Sequence, residues 1–334
     1  MEAVRIHKYG KKIQPRLEEV SIPEIDENEV LVKIHAASVN PIDFKAAQGG
    51  IMRLFFNEKT PYTMGHDFAG EVVKIGKCVT AFRVGDAVYG MKLGAFSEYI
   101  AVTENQMATM PKHLSYEEAA ALPMVGLTSY QALHDYMHLS QGQKVLIQAG
   151  SGGVGSFAIQ LAKVYGAYVA TTTSNKNREF VEKLGADKVI DYHQTHFDEV
   201  LHDYDGVFDT LGGEELMKAF KIVKPHGTVV SINGIPDQRT ASELGVPLWK
   251  KYLMTFAARK INKAAEEHRV YYRFIFTRDS RQELNKIRKM VEANKIHPEI
   301  DKIFDLADTK EALDYIHKGH ARGKVVIKVT EPEF

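Results

Sequence analysis

The chain has 334 residues, of which 44% are hydrophobic, so it can fill two cores of moderate size, and we expect two domains. Its 43 Lys and Arg balance 43 Asp and Glu, which leaves no net charge to attract nucleic acid or an anionic membrane over long range. Cys78 is the only cysteine, which excludes an intramolecular disulfide and any zinc site built from several thiolates. We therefore expect a small-molecule substrate and neither a nucleic acid nor a membrane partner.

The compartment is inferred from the same features. A lone cysteine fits a reducing environment, and the first residues, MEAVRIHKYG, have no long apolar core behind a basic start. No stretch approaches the roughly 18 apolar residues that a membrane span requires. These observations predict a cytoplasmic location.

Short strands separated by turn residues fill the chain up to about Ala121. The candidate strands are VLVKIHAASV, FAGEVVKIG, DAVYG and FSEYIAV. Such spacing predicts an antiparallel, barrel-like β domain. Ser115 followed by Glu118 is a capping box, which predicts the helix SYEEAAAL, ended by Pro123.

From Leu127 to about Asn233, short apolar strands alternate with helical periods. In chain order they are VLIQA, GVGSFAIQLAKVYG, YVATTT, REFVEKLG, KVIDY, GVFDTL, EELMKAFKIV and TVVSIN. This alternation is typical of repeated βαβ units, and it predicts an α/β fold with a doubly wound parallel sheet.

After Pro236 the pattern is weaker. A helix-like, aromatic stretch from Leu248 to Phe276 precedes an amphipathic helix, RQELNKIRKMVEANK. Another helix is expected around Lys310 to His317, followed by a final strand, KVVIKV. The pattern alone leaves open whether these residues form a third unit or complete the first domain.

A glycine-rich turn follows the strand VLIQA. Gly150, Gly152 and Gly155 form G-x-G-x-x-G, and a helix with apolar residues at helical spacing comes next. Glycine permits the tight turn and the close approach of a pyrophosphate to the N–H groups at the helix start. The turn predicts a dinucleotide site formed by Gly150, Gly152, Gly153, Val154 and Gly155. The alternative is a βα turn without a ligand.

The second strand of this unit indicates which dinucleotide is bound. A site for NAD ends that strand with an acidic residue that binds the ribose hydroxyls. Here the strand YVATTT ends at Ser174, and Lys176 and Arg178 follow it. A hydroxyl and two cations suit a 2′-phosphate through charge-assisted hydrogen bonds, so we expect NADP(H). The alternative is that these residues only cap and solvate the next helix.

Three segments carry a likeness to a known family. They are Gly65-His66-Asp67 with Gly70, Gly76 and Val79; Gly142-Gln143, Leu146, Ser151-Gly152-Gly153, Gly155, Gln160 and Lys163; and the ending HARGKVV from His320 to Val326. The chain resembles the medium-chain dehydrogenase/reductase superfamily, and within it the zinc-independent quinone oxidoreductases related to zeta-crystallin. It departs at Gly150, where that family carries Ser or Ala.

The resemblance implies how the domains are arranged. A Rossmann NADP(H)-binding domain over residues 124–262 would be inserted into a chaperonin-10-like β-barrel catalytic domain made of residues 1–123 and 263–334. Relatives commonly pair through the edge of the Rossmann sheet, so the resemblance also implies a homodimer.

His66 stands where zinc-dependent relatives place a metal ligand. The cysteines of those relatives are missing, since Asn40-Pro41 and Gly126-Leu127-Thr128 occupy the corresponding regions. Catalytic zinc needs about three protein ligands, and His66 with Asp67 supplies at most two. We therefore expect no metal.

Without a metal, the chemistry left is hydride transfer to an acceptor that is already electrophilic, such as a quinone or an α,β-unsaturated carbonyl. By resemblance, Asn40 and Lys45 are the candidate catalytic residues, as donors to the oxygen that becomes negative. Further cofactor contacts come by resemblance alone, and they are Thr128, Tyr192, Leu211, Asn233, Phe276 and Arg322.

Two alternatives stay open. The chain could be a zinc alcohol dehydrogenase, or an NADPH-binding structural or regulatory protein without activity. The acceptor pocket, expected around Phe55, Tyr62 and Trp249, has no readable pattern.

Overall fold

A computed structural model of the chain describes residues 1–49, 58–243, 245, 247–319 and 321–331. The chain divides into two compact units. Unit 1 is discontinuous and consists of Met1–Leu127 and Asp279–Phe334, whereas unit 2 is the continuous segment Thr128–Arg278.

The elements are numbered in chain order. The strands are β1 Glu2–Ile6, β2 Arg16–Glu19, β3 Glu29–Val39, β4 Tyr62–Thr63, β5 Asp67–Ile75, β6 Ala87–Met91, β7 Tyr99–Thr103, β8 Met107–Thr109, β9 Lys144–Ile147, β10 Tyr168–Thr173, β11 Lys188–Asp191, β12 Tyr204–Asp209, β13 Val223–Ser231, β14 Tyr271–Phe274, β15 Ile300–Asp305 and β16 Lys324–Lys328. The helices are α1 Pro41–Gln48, α2 Tyr116–Ala120, α3 Pro123–Tyr130, α4 Gly153–Val164, α5 Arg178–Lys183, α6 Phe197–Val200, α7 Gly213–Ile222, α8 Gln238–Glu243, α9 Leu248–Ala257, α10 Arg259–His268, α11 Arg281–Glu292 and α12 Thr309–His317. Short 3₁₀ turns span Glu104–Gln106, Asn175–Asn177 and Leu306–Asp308, and a π-helical segment, Gln131–Tyr136, continues α3. In the described residues, none of these helices combines the length and the apolar character that crossing a bilayer requires.

Unit 2 is built on a six-stranded sheet in which every neighbouring pair is parallel. The strand order is β11-β10-β9-β12-β13-β14. Val145, Leu146 and Ile147 of the central strand β9 are fully buried, as expected for a parallel strand covered on both faces. The chain winds outward from β9 in both directions, so the carboxyl end of β9 lies at the point where the strand order reverses. Ligands of such sheets bind at this point.

Helices cover the sheet through apolar residues at helical spacing. In α7, Leu216, Ala219 and Phe220 are buried in one core cluster with Val207 of β12 and Val229 of β13. These residues recur at intervals of three and four, which places them on one side of the helix.

Unit 1 is organised around the long strand β3. Strand β5 pairs with β3 along most of its length, while β7 pairs with its first half and β16 with its second half. Because β16 comes from the end of the chain, this pairing brings the two segments of unit 1 into one sheet. The shared core includes Ile34, Phe68, Val88, Val325 and Ile327.

The parallel sheet and the capping box agree with the sequence prediction. The Ser115 side chain accepts the Glu118 N–H at 3.2 Å, and α2 begins at the next residue. The sequence pattern does not identify β14, Tyr271–Phe274, since it predicts a helix-like stretch from Leu248 to Phe276. Its pairing with β13 extends unit 2 to Arg278, so residues 263–278 lie with the Rossmann unit and not, as predicted, with the catalytic domain.

Candidate functional site

The glycine turn connects β9 to α4, as predicted. A Cβ atom on Gly150 would lie 2.1 Å from the Thr171 hydroxyl oxygen, and one on Gly155 would lie 2.3 Å from the Ala149 carbonyl oxygen. Both distances are far below van der Waals contact. Glycine at these two positions is therefore required by the packing of the protein itself.

Gly152 differs from the other two glycines of the motif. The nearest atom to a Cβ placed there is the Ala149 carbonyl oxygen at 3.4 Å, and the backbone φ is −80°. The unit itself would tolerate a side chain at this position. Gly152 is the N-cap of α4, where the first N–H groups of the helix have no partner within it. The fold does not require glycine here, but a side chain at this position would stand beside these donors and hinder a ligand. A glycine in this place therefore fits the close approach of a bound pyrophosphate.

The hydroxyl of Ser151 adds a donor that the sequence interpretation missed. Its oxygen accepts hydrogen bonds from the Thr173 hydroxyl at 2.9 Å and from the Asn177 side-chain amide at 3.1 Å. Two accepted bonds occupy both lone pairs, so the hydroxyl proton is left to donate. The signal was present, because Ser151 stands inside the glycine motif.

The connection after β10 carries the predicted phosphate-binding side chains. Ser174 is buried and precedes the 3₁₀ turn Asn175–Asn177, whereas Lys176 is exposed and has no ion-pair partner within the described ranges. The Arg178 guanidinium contacts the Asn175 side chain at 3.2 Å and the Val189 carbonyl at 3.4 Å.

Tyr192 directly follows β11, the strand next to β10. Its ring is 56% exposed and packs against the ring of His193 at 4.3 Å between centroids. An exposed ring at this edge of the sheet can stack on a planar group such as a nucleobase.

Two predicted cofactor contacts, Leu211 and Asn233, lie two residues after the ends of β12 and β13. The Asn233 side chain donates to the Leu211 carbonyl at 2.7 Å, which joins the two turns. The buried carboxyl of Asp209 accepts the N–H groups of Leu211 and Gly212 at 3.1 and 2.9 Å. Burial raises the pKa of Asp209, and hydrogen bonds from Ser231 and these N–H groups offset this only in part. Asp209 was not predicted, and it fixes the turn that carries Leu211.

Of the remaining predicted cofactor contacts, Thr128 and Phe276 belong to unit 2 and Arg322 belongs to unit 1. The Thr128 hydroxyl is buried and lies 2.6 Å from the Thr277 hydroxyl, and Phe276 packs edge-on against Phe274 at 4.9 Å between centroids. Arg322 is exposed in unit 1, just before β16, so it does not belong to the unit that holds the other contacts.

A buried polar cluster in unit 1 joins β3, β5 and β16. The Asp67 carboxylate is fully buried and accepts the Ser38 hydroxyl at 2.8 Å and the Asn40 side-chain amide at 2.9 Å. The Lys324 ammonium lies 3.2 Å from the same oxygen, and the Met124 N–H donates to the other oxygen at 2.8 Å. Burial lowers the pKa of Lys324, and the charge and hydrogen bond of Asp67 oppose that shift.

Asn40 is one member of this cluster, and its geometry contradicts the predicted role as a donor to substrate. Its amide nitrogen donates to Asp67 at 2.9 Å and to the Ser38 carbonyl at 3.3 Å, and its amide oxygen accepts from Lys324 at 2.6 Å. Both amide hydrogens are used, and the residue is only 2% exposed. Asn40 is therefore a positioning residue.

His66 and Asp43 form a second polar pair. The His66 Nδ1 atom lies 2.6 Å from one carboxylate oxygen of Asp43, and the other oxygen accepts the Asn40 backbone N–H at 2.7 Å. Burial lowers the pKa of His66, but the hydrogen bond and charge of Asp43, with the charges of Asp67 and Asp279, outweigh burial and raise it above its usual value. The His66 side chain is 14% exposed, and its Nε2 atom has no partner among the residues that the structure describes.

The same contacts bear on metal binding. The Asp67 carboxylate already accepts four donors, whereas His66 offers a single open nitrogen, Nε2, since its Nδ1 atom contacts Asp43. In the described part of the chain, no three His, Cys, Asp or Glu side chains are placed to share a metal ion. The donor set therefore does not fit a catalytic zinc, which needs about three ligands and an open position.

Lys45 is two residues beyond Asp43 on α1, and Tyr62 is close enough for the charge of Asp43 to affect it. Lys45 is half-buried on α1, and burial lowers its pKa. Burial, with the charges of Tyr9 and Asp43, raises the pKa of Tyr62, which makes its hydroxyl a weak proton donor. Of the expected acceptor pocket, Phe55 lies outside the described residues, and Trp249 is exposed on α9.

Comparison with known proteins relates both units to established families. The alcohol dehydrogenase GroES-like domain matches residues 26–112, and the zinc-binding dehydrogenase family matches residues 184–327. The chain is 33% identical over 358 residues to NAD(P)H oxidoreductase RTN4IP1, mitochondrial, of Danio rerio, which covers 100% of the chain and 92% of that protein. It is 36% identical over 342 residues to 2-methylene-furan-3-one reductase of Solanum lycopersicum, covering 98% and 79% of the two proteins. The structure of the quinone oxidoreductase from Coxiella burnetii matches 99% of both chains at 32% identity, with a TM-score of 0.84.

These matches confirm the predicted fold and correct the predicted location. A GroES-like, that is chaperonin-10-like, domain combined with a parallel sheet is what the sequence predicted. The cytoplasmic location is contradicted, because the RTN4IP1 relatives of Danio rerio, Mus musculus and Homo sapiens are named as mitochondrial. A neutral composition with one cysteine fits any reducing compartment, so it could not separate the cytoplasm from the interior of an organelle.

Proposed function

Because the chain belongs to the quinone oxidoreductase family of the medium-chain dehydrogenase/reductase superfamily, we propose that it reduces a quinone or an α,β-unsaturated carbonyl with NADPH and without a metal. The chain is an oxidoreductase, as its relatives are. The tomato relative is named for a substrate whose carbon–carbon double bond is conjugated with a carbonyl, which supports this class of acceptor. The observation that carries the proposal is that a Cβ on Gly152, the N-cap of α4, would meet no atom closer than 3.4 Å, beside the first N–H groups of that helix.

Unit 2 holds the cofactor. We assign the pyrophosphate to the N–H groups at the start of α4 and to the Ser151 hydroxyl, and the 2′-phosphate to Ser174, Lys176 and Arg178. Support for NADPH over NADH comes from the exposed ammonium of Lys176, which has no ion-pair partner among the residues that the structure describes, and from the absence of an acidic residue where β10 ends. When bound, NADPH supplies a hydride.

Unit 1 supplies the proton. A hydride added to a quinone, or to the β-carbon of an enone, leaves negative charge on the acceptor oxygen, and one proton completes the reduction. We assign that proton to Nε2 of His66, which is the open nitrogen of the His66–Asp43 pair. Asp43 stabilises the protonated ring and fixes its orientation through Nδ1. The enol formed from an enone then rearranges to the ketone, and water returns a proton to His66.

Metal independence is supported by the partners of Asp67. Lys324 already places a positive charge on Asp67, so a metal would have to displace a buried ammonium that also bonds Asn40. An acceptor conjugated with a carbonyl needs no Lewis acid to become electrophilic enough for hydride. Lys45 remains a proposed second contact to the acceptor oxygen.

The test is NADPH oxidation with a panel of quinones and 2-alkenals, with NADH and a chelator as controls. We expect turnover with at least one acceptor, unchanged by the chelator and faster with NADPH than with NADH at equal subsaturating concentration. Loss of turnover on chelation would restore the zinc alcohol dehydrogenase alternative. Tight NADPH binding without turnover on any acceptor would favour a binding protein that lacks activity.

A further inference from the structure

Helix α9 of unit 2 presents an apolar surface to solvent that the proposed reaction does not use. Five of its ten residues are large apolar side chains that are at least half exposed. They are Leu248, Trp249, Tyr252, Leu253 and Phe256. Tyr252 and Phe256 are 75% and 73% exposed, which is unusual for a cluster of aromatic side chains on a soluble domain.

The five residues form one side of a well-anchored helix. At about 100° per residue they fall within a sector of roughly 140°, which is the width of an amphipathic face. Met254, on the opposite side, is buried, as is Ala258 directly after the helix. The buried side of α9 thus anchors the helix to unit 2, and its apolar side is held facing solvent.

The sequence of this helix and of the start of α10 is basic. From Leu248 to Ala265 the sequence contains no Asp or Glu, although the whole chain has 43 acidic residues against 43 basic ones. The same segment holds five basic residues, Lys250, Lys251, Arg259, Lys260 and Lys263, of which Lys263 pairs with Glu267, just beyond it, at 3.6 Å. On the helical wheel Lys250 and Lys251 fall on the two sides of the apolar face, where long side chains reach past apolar groups to a polar surface.

We propose that α9 docks the protein on an anionic lipid surface. The helix lies in the plane of the membrane interface, with Trp249, Tyr252 and Phe256 among the lipid chains and the basic residues at the headgroups. At ten residues it is about 15 Å long, too short to cross a hydrocarbon core of about 30 Å. Trp and Tyr are the side chains that favour this interface.

Charge favours a lipid surface over a second copy of the chain. A symmetric dimer formed through α9 would bring the acid-free basic segment against its own copy, and like charges would face each other. An anionic surface complements that segment, at about 1 kcal/mol for each basic residue near the headgroups. The balanced net charge, which predicted no membrane partner, averages over the chain and hides this local asymmetry.

The lone tryptophan of the chain, Trp249, reports directly on this surface. We would titrate the protein with phosphatidylcholine vesicles that contain or lack phosphatidylserine and record Trp fluorescence. The proposal predicts a blue shift with the anionic vesicles only. The shift should weaken between about 0.01 M and 1 M NaCl, since the Debye length falls from about 30 Å to 3 Å over that range.

Matched variants separate the surface from the rest of the molecule. Phe256→Ser should weaken vesicle binding about tenfold, while Val84→Ser, which removes an exposed apolar residue of unit 1, should leave it unchanged. Urea unfolding checks that both variants fold. No shift with any vesicle, or equal shifts with and without phosphatidylserine, would overturn the proposal. So would light scattering that shows a dimer which Phe256→Ser converts to a monomer.

Discussion

Two glycines of the phosphate-binding turn should respond in opposite ways to the same substitution. In Gly155→Ala the new methyl group would lie 2.3 Å from the Ala149 carbonyl oxygen and 2.7 Å from the Gly150 Cα atom. Both neighbours are backbone atoms and cannot rotate away. In Gly152→Ala the methyl group meets nothing closer than 3.4 Å in the protein itself, and it fills the space assigned to the pyrophosphate.

The expected magnitudes follow from these distances. Overpacking of the Gly155 kind costs up to about 3 kcal/mol, and about 1 kcal/mol returns because Ala is a better helix former than Gly. We expect Gly155→Ala to lower the free energy of unfolding by about 2 kcal/mol. Gly152→Ala changes only an N-cap residue, so its free energy of unfolding should fall by less than about 1 kcal/mol. Its dissociation constant for NADPH should rise about 10- to 100-fold through the overlap with the ligand.

The assay pairs urea unfolding of the cofactor-free protein with an NADPH titration followed by nicotinamide fluorescence. The parent protein and both variants are compared under the same conditions. A Gly152→Ala protein that binds NADPH as tightly as the parent would refute the assigned pyrophosphate position. A Gly155→Ala protein of unchanged stability would refute the argument from backbone overlap.

Three further predictions concern side chains. Lys176→Ala should raise the dissociation constant for NADPH about tenfold and leave that for NADH unchanged. The control, Lys183→Ala at the C-terminal end of α5, should change neither constant. Equal losses of affinity for NADPH and NADH in Lys176→Ala would show that Lys176 does not bind the 2′-phosphate. Because the pKa of His66 is raised in the folded chain, its pairing with Asp43 contributes stability that is fully present below about pH 6.5 and is lost as the pH rises through the folded value. The rate of acceptor reduction should fall over the same rise in pH, and in His66→Gln this fall should disappear. A His66→Gln protein whose rate still falls over that pH range would exclude His66 as the proton donor. Lys324→Met should lower the free energy of unfolding by about 3–5 kcal/mol, because Asp67 is then left buried without a cation. Adding Asp67→Asn should restore part of that loss. A double variant no more stable than Lys324→Met alone would contradict this reasoning.

What the sequence could predict was local in origin. The strand, turn and helix around Gly150 are set by consecutive residues, so periodicity and glycine spacing identified them. The capping box of α2 was readable for the same reason. Strand β14 was missed because Tyr271–Phe274 is short and shows no alternation, and only its pairing with β13 defines it as a strand.

The features that decide the chemistry of unit 1 depend on distant residues. Asn40 and Lys324 are 284 positions apart, and the bond between them turned a predicted substrate donor into a positioning residue. The open nitrogen of His66 could likewise be identified only once Asp43 was seen to bind the other one. The boundary at Arg278 followed from the sheet edge, which no composition change marks.

The fate of a labelled hydride tests the central claim most directly. NADPH carrying deuterium at the transferred position of nicotinamide C4 is incubated with the protein, a chelator and an α,β-unsaturated ketone, and the product is examined by mass spectrometry and NMR. Our account predicts a saturated ketone with one deuterium on the β-carbon and a proton from solvent on the α-carbon. An allylic alcohol labelled at the carbonyl carbon, or a product without deuterium, would contradict it.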